Sequence, residues 1–150
     1  MQYMKYFKDS WQELCDLANN GTFTPHQEQD IVCMMYHLCL QKLGNPTRIH
    51  ASSTWNYDLI LGRLKAIKQK DQRISHCLIV EFKFILKKGR KNKRLKEALE
   101  DIQRLSTKGN PTVRRVFALF DNTSCMTAEE IKTLTEYKDN VTVLFGPENK

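Results

Sequence analysis

The stretch that decides the fold is His76-Cys77-Leu78-Ile79-Val80-Glu81-Phe82-Lys83-Phe84-Ile85-Leu86. It is dense in β-branched and aromatic residues, and Gly89 follows soon after, so it reads as a strand rather than a helix. Side chains alternate across a strand. One face therefore carries Leu78, Val80, Phe82, Phe84 and Leu86, and the other carries Cys77, Ile79, Glu81, Lys83 and Ile85. Apolar residues on both faces indicate a strand covered on both sides. A carboxylate and an ammonium in the middle of one such face are costly to bury unless they are paired or serve a metal.

Upstream, Trp55-Asn56-Tyr57-Asp58-Leu59-Ile60-Leu61-Gly62-Arg63-Leu64 reads as the preceding strand, with Asp58 near its start. A polar link containing Asp71-Gln72 makes an antiparallel hairpin the natural pairing and carries Asp58 toward Glu81. Residues 47–53 read as a further strand. On the other side, Lys87-Lys88-Gly89-Arg90-Lys91-Asn92-Lys93-Arg94 reads as a basic loop, and Leu95, Ala98, Leu99, Ile102 and Leu105 repeat at helical spacing after it. Lys108-Gly109-Asn110-Pro111 ends that helix. Val113 to Phe120 is the next strand, Thr127 to Glu130 a capping box opening a short helix to Tyr137, and Val141 to Phe145 the last strand.

Two helices precede the strands. Met4, Phe7, Trp11, Leu14 and Ala18 mark the first, over residues 2–18. The second is expected from Pro25 to about Leu43, with Thr24 as N-cap, Gln27 completing a capping box, and Gly44-Asn45-Pro46 as its stop. Glu28 and Asp30 fall in its first turn, where the helix dipole favours acids. The order is α-α-β-β-β-α-β-α-β, with parallel crossovers in the second half. Residues 1–150 are read as a single domain.

An Asp opening one strand and Glu-x-Lys in the next, followed by helix and strand, resembles the PD-(D/E)XK nuclease superfamily. The likeness spans roughly Thr24 to Asp121. It implies an α/β, restriction-endonuclease-like αβββαβ core with a mixed central sheet flanked by helices, an extra N-terminal helix and a C-terminal helix-strand. It implies a Mg²⁺- or Mn²⁺-dependent phosphodiesterase, endo- or exonucleolytic, acting on DNA, with RNA the alternative. Asp58 and Glu81 become metal ligands, with the Phe82 backbone carbonyl a further one. Lys83 orients or activates water, and Glu28 and Gln103 complete the catalytic set by the same resemblance. Tyr57, rather than proline, precedes Asp58.

The chemistry fits the residue types. Mg²⁺ prefers hard oxygen ligands, keeps several waters, and binds through one or two carboxylates plus substrate phosphate. An ammonium beside it can position the nucleophile or stabilise developing charge. The formal charge of +7 suits a polyanionic partner. Lys87, Lys88, Arg90, Lys91, Lys93 and Arg94 are expected to grip phosphates, with Arg63, Lys65, Arg114 and Arg115 extending the surface. Trp55 and Tyr57 bracket Asp58 and are read as packing aromatics before base-stacking ones. Cys33 and His37 lie four apart on one helix, and without a second ligand pair they are expected to pack in the core. His50 and His76 are assigned surface or core roles.

Five cysteines with no CxxC pairing fit a reducing, intracellular, cytoplasmic setting. No signal peptide or membrane span is expected. A homodimer or a partner subunit is the expected source of specificity. Two rival readings stand beside the enzyme: a non-catalytic nucleic-acid-binding module of the same fold, and a protein-interaction subunit.

Overall fold

The structure, a computed structural model, describes residues 2–52, 57–62, 77–107, 113–136 and 140–148. Trp55, Arg63, Leu64, Lys65, the Asp71-Gln72 link, His76, the Lys108–Pro111 break and Tyr137 lie outside the described residues. The chain runs α1 (Gln2–Asn19), α2 (Glu28–Leu43), β1 (Ile49–Ser52), β2 (Tyr57–Leu61), β3 (Leu78–Ile85), α3 (Lys91–Ser106), β4 (Arg114–Asp121), α4 (Ala128–Thr135) and β5 (Thr142–Gly146). Five strands form one mixed sheet in the order β1-β2-β3-β4-β5. β1, β2 and β3 pair antiparallel, and β3, β4 and β5 pair parallel through the α3 and α4 crossovers.

The sheet is covered on both faces. Phe7, Trp11 and Leu14 of α1 and Ile31, Met35 and Leu38 of α2 pack with Leu78, Val80, Phe82 and Phe84 of β3. Ala98, Ile102 and Leu105 of α3 and Leu134 of α4 pack with Ile79, Ile85, Phe117 and Leu119. The Phe82 ring lies 6.0 Å from Phe7 and 6.2 Å from Trp11, which anchors α1 to the central strand. Where α1 meets β5 the approach is close: a Cβ on Gly146 would stand 2.5 Å from the Cys15 sulfur.

Three boundaries differ from expectation. Helix α2 starts at Glu28 rather than Pro25, because the Asp30 carboxylate, not Thr24, accepts from the backbone N–H groups of His26 (2.8 Å) and Gln27 (3.2 Å). Strand β1 starts at Ile49, because Asn45 accepts from the Thr47 N–H at 3.0 Å and holds Pro46–Arg48 in a 3-10 turn. The basic run is not wholly a loop: Lys88–Arg90 form a 3-10 turn and α3 begins at Lys91, no proline or glycine following Gly89 to break the helix before Ser106. The expected stop at Gly44 holds, with φ 66° and its N–H donating to the Leu40 carbonyl at 2.9 Å.

Cys33 and His37 are exposed, not in the core, because Ile31, Met35 and Leu38 set the buried side of α2 and rotate both away. All five cysteines are free. No helix among the described residues is long and apolar enough to cross a membrane.

Candidate active site at the free edge of the central strand

Strand β2 has five residues and β3 has eight, and the two pair at Leu59↔Val80, Ile60↔Ile79 and Leu61↔Leu78. Among the described residues, the pairing of β2 with β3 ends at Val80. A buried N–H without a partner is expensive, so the edge needs other acceptors. Carboxylates supply them. Asp58 Oδ2 accepts from the Phe82 N–H at 2.7 Å, and Glu28, the first residue of α2, stands close enough to the Phe84 N–H for it to favour the carboxylate. Three acids from two strands and a helix are thereby drawn along one edge.

Asp58 and Glu81 bring their carboxyl groups within hydrogen-bonding reach of each other. Glu81 is 7% exposed. Burial, with the Asp58 charge added to it, pushes the Glu81 carboxyl up to about 8. Asp58 is raised too, chiefly by burial, against the pull of its bond to Phe82. Burial and mutual repulsion both favour a proton on the pair, against the pull of Arg104 on Glu81. Burial also raises Glu28, partly offset by Lys83.

Lys83 and Glu81 do not pair with each other. Lys83 Nζ lies 2.9 Å from Asp101 Oδ2 and 3.8 Å from Glu97 Oε2. Burial works against its charge, but Asp101, Glu28 and Glu97 together outweigh it and raise the Lys83 pKa. Lys83 is therefore a fixed ammonium and not a proton acceptor. Glu81 Oε1 faces Arg104 Nη2 at 3.4 Å, and Arg104 Nη2 is 3.2 Å from Asp101 Oδ1.

Glu97, Asp101 and Arg104 were not singled out from the sequence. Their spacing of four and three residues is the signal that could have found them, since it places all three on one stripe of α3 beside the buried Ala98-Ile102-Leu105 stripe. Gln103, the residue the resemblance selected, is turned about 100° from Arg104 and is exposed. Phe82 donates its N–H to Asp58 while its ring is buried against α1. Tyr57 is buried on the α3 side of the sheet, as a packing residue. Asp121, wholly buried at the end of β4, accepts from the N–H groups of Thr123 (2.9 Å) and Met126 (3.1 Å) and shapes that turn.

The basic residues divide. Lys91 is bound to Glu130 on α4 at 3.0 Å, and Arg94 to Glu97 at 2.8 Å. Lys87, Lys88, Arg90 and Lys93 are exposed. Lys87, Arg90 and Arg94 line a cleft of about 340 Å³ with His26, Glu28 and Leu86, beyond the free edge of β3. Arg114 and Arg115 do not extend this surface. They begin β4, opposite Leu78 and Ile79 at the other end of β3, and Arg115 is buried, donating to the Val113 carbonyl at 3.1 Å.

Among the described residues no group of three or more His, Cys, Asp and Glu is placed to hold a metal ion. The Asp58–Glu81 pair alone remains, two hard oxygen donors forced together in a buried setting, which suits a cation that takes one or two protein carboxylates and fills the rest of its shell with water and phosphate. No family model, curated protein or solved structure matches the chain.

Proposed function

We propose that this chain is a divalent-cation-dependent phosphodiesterase of nucleic acid, with DNA ahead of RNA as substrate, built on a restriction-endonuclease-like core running from α2 to β4. The observation that carries the reading is the approach of Asp58 to Glu81: two buried acids stand against each other at the edge of β3. Such a pair is unfavourable to ionise without a compensating charge.

Asp58 and Glu81 would hold Mg²⁺ or Mn²⁺, and Glu28 stands near enough to feel the Asp58 charge. The cation supplies Lewis-acid polarisation of the phosphate and a lowered pKa for bound water. The Lys83 ammonium, kept charged by Asp101, is suited to orienting that water or stabilising negative charge on the phosphate. The cations at the start of α3 would hold the strand by its phosphates.

Purified protein incubated with plasmid, single-stranded DNA and RNA in Mg²⁺, Mn²⁺ or EDTA tests this. Metal-dependent cleavage that falls about 10²-fold or more in Asp58→Asn and Glu81→Gln is expected. Unchanged cleavage in Glu81→Gln removes the assigned role. The pairing of Lys83 with Asp101 and of Glu81 with Arg104 favours a second reading, a binding module without catalysis. Salt-sensitive binding with no cleavage in either metal would select it.

A further inference from the structure

Six basic residues between Lys87 and Arg94 invite description as one charged patch, but the cleft separates them. Positions 87, 90 and 94 follow one another at spacings of three and four through the 3-10 turn and the first turn of α3. That spacing turns Lys87, Arg90 and Arg94 toward the same cleft wall, facing His26 and Glu28 at the start of α2. Lys88 and Lys93 are exposed and do not line it.

The start of α3 is an unusual place for such charge. It has no acidic residue in its first turn and no side-chain cap, while Lys91, Lys93 and Arg94 crowd its positive end. Glu130 and Glu97 offset Lys91 and Arg94, while Lys87, Arg90 and Lys93 are exposed. An anion in the cleft, against Lys87, Arg90 and Arg94, would be favoured by these cations and by the start of α3. Leu86 lines the same cleft and is 41% exposed, the one exposed large hydrophobic side chain among the described residues. A bare phosphate ion has no use for it. A phosphate carrying its sugar and base does.

We propose that this cleft is a nucleotide subsite, in which Lys87, Arg90 and Arg94 hold a backbone phosphate of a nucleic-acid strand and Leu86 packs against the attached nucleoside. The proposal rests on the nucleic-acid reading above and deepens it. Phe84, on the cleft floor, is three residues along β3 from Glu81, about 10 Å. The two side chains leave opposite faces of the sheet, and Glu28, which lines the cleft and feels the Asp58 charge, connects the two positions around the edge of β3. Lys88 and Lys93 contribute only to the general field that attracts the strand.

The test is binding of a fluorescent 12-residue oligothymidylate to the full chain in EDTA, so that no cleavage intervenes. Lys87→Gln and Arg90→Gln are each expected to weaken binding about tenfold, the loss of a charge-assisted hydrogen bond. Leu86→Ser is expected to weaken it about threefold. Lys88→Gln and Lys93→Gln are expected to change it less than about twofold. All four substituted cations are exposed. Equal small losses at all four cations would show a diffuse field and overturn the subsite. Competition by thymidine monophosphate and by inorganic phosphate separates the sources of the phosphate: both are expected to compete weakly, the mononucleotide better. A mononucleotide that binds as tightly as the 12-mer overturns the strand assignment. Cleavage is scored separately. A wild type that binds as described yet cleaves nothing in Mg²⁺ or Mn²⁺ removes the phosphodiesterase and leaves the cleft standing.

Discussion

Replacing Glu81 with Gln removes one ionisable group from the buried pair while keeping a side chain of the same length that can donate to Asp58. In the wild type the Glu81 carboxyl rises from 4.5 to about 8 on folding. The folded state then holds its proton more tightly than the unfolded chain does. Stability from this group is complete below about pH 4.5, is lost as pH rises, and is exhausted above about pH 8. The full interval corresponds to an upper limit of about 5 kcal/mol. Rearrangement around an ionised pair reduces it, and a loss of about 2–4 kcal/mol between pH 5 and pH 8 is expected. The assay is urea unfolding in EDTA at pH 5, 6.5 and 8, followed by far-ultraviolet circular dichroism. Glu81→Gln is expected to lose less than half as much over that range and to be the more stable protein at pH 8. Every other titrating group is common to both proteins, so the difference reports the pair. Adding Mg²⁺ at pH 8 is expected to restore the wild type and to leave Glu81→Gln nearly unchanged. Parallel pH profiles for the two proteins would refute the raised Glu81 pKa.

Three further outcomes are expected. Arg104→Gln removes the cation that already faces Glu81 and Asp101, so Mn²⁺ affinity, read by electron paramagnetic resonance, is expected to rise about three- to tenfold. Asp101→Asn takes the nearest acid from Lys83; burial then dominates, and a stability loss of about 1–3 kcal/mol is expected, with the alkaline limb of any cleavage profile moving to lower pH. Gly146→Ala drives a Cβ into the Cys15 sulfur beneath α1, and calorimetry is expected to show a loss of about 1–3 kcal/mol with no change in metal binding.

The central strand was legible because apolar residues on both of its faces fit only a covered position, and β3 is covered by α1 and α2 on one side and α3 and α4 on the other. The meeting of Asp58 with Glu81 followed from the hairpin, since an antiparallel register carries the start of one strand to the middle of the next. The α3 side of the site was hidden. Asp101 and Arg104 look like the solvated half of an amphipathic helix, and only the placement of α3 over Glu81 and Lys83 gives them partners. Adjacent side chains on a helix diverge by about 100°, so Gln103 and Arg104 face different directions on α3. The start of α2 was missed through a competition among caps: Thr24 and Gln27 match a capping box, but the charged Asp30 accepts from both neighbouring N–H groups. Arg115 was read as surface because it is charged, yet it occupies a buried position at the start of β4.

Soaking crystals in Mn²⁺ and recording anomalous difference density tests the shared cation pocket most directly. A single peak within about 2.6 Å of a carboxylate oxygen of both Asp58 and Glu81 is the expected result. Density elsewhere, or none between Asp58 and Glu81 at saturating Mn²⁺, would contradict it.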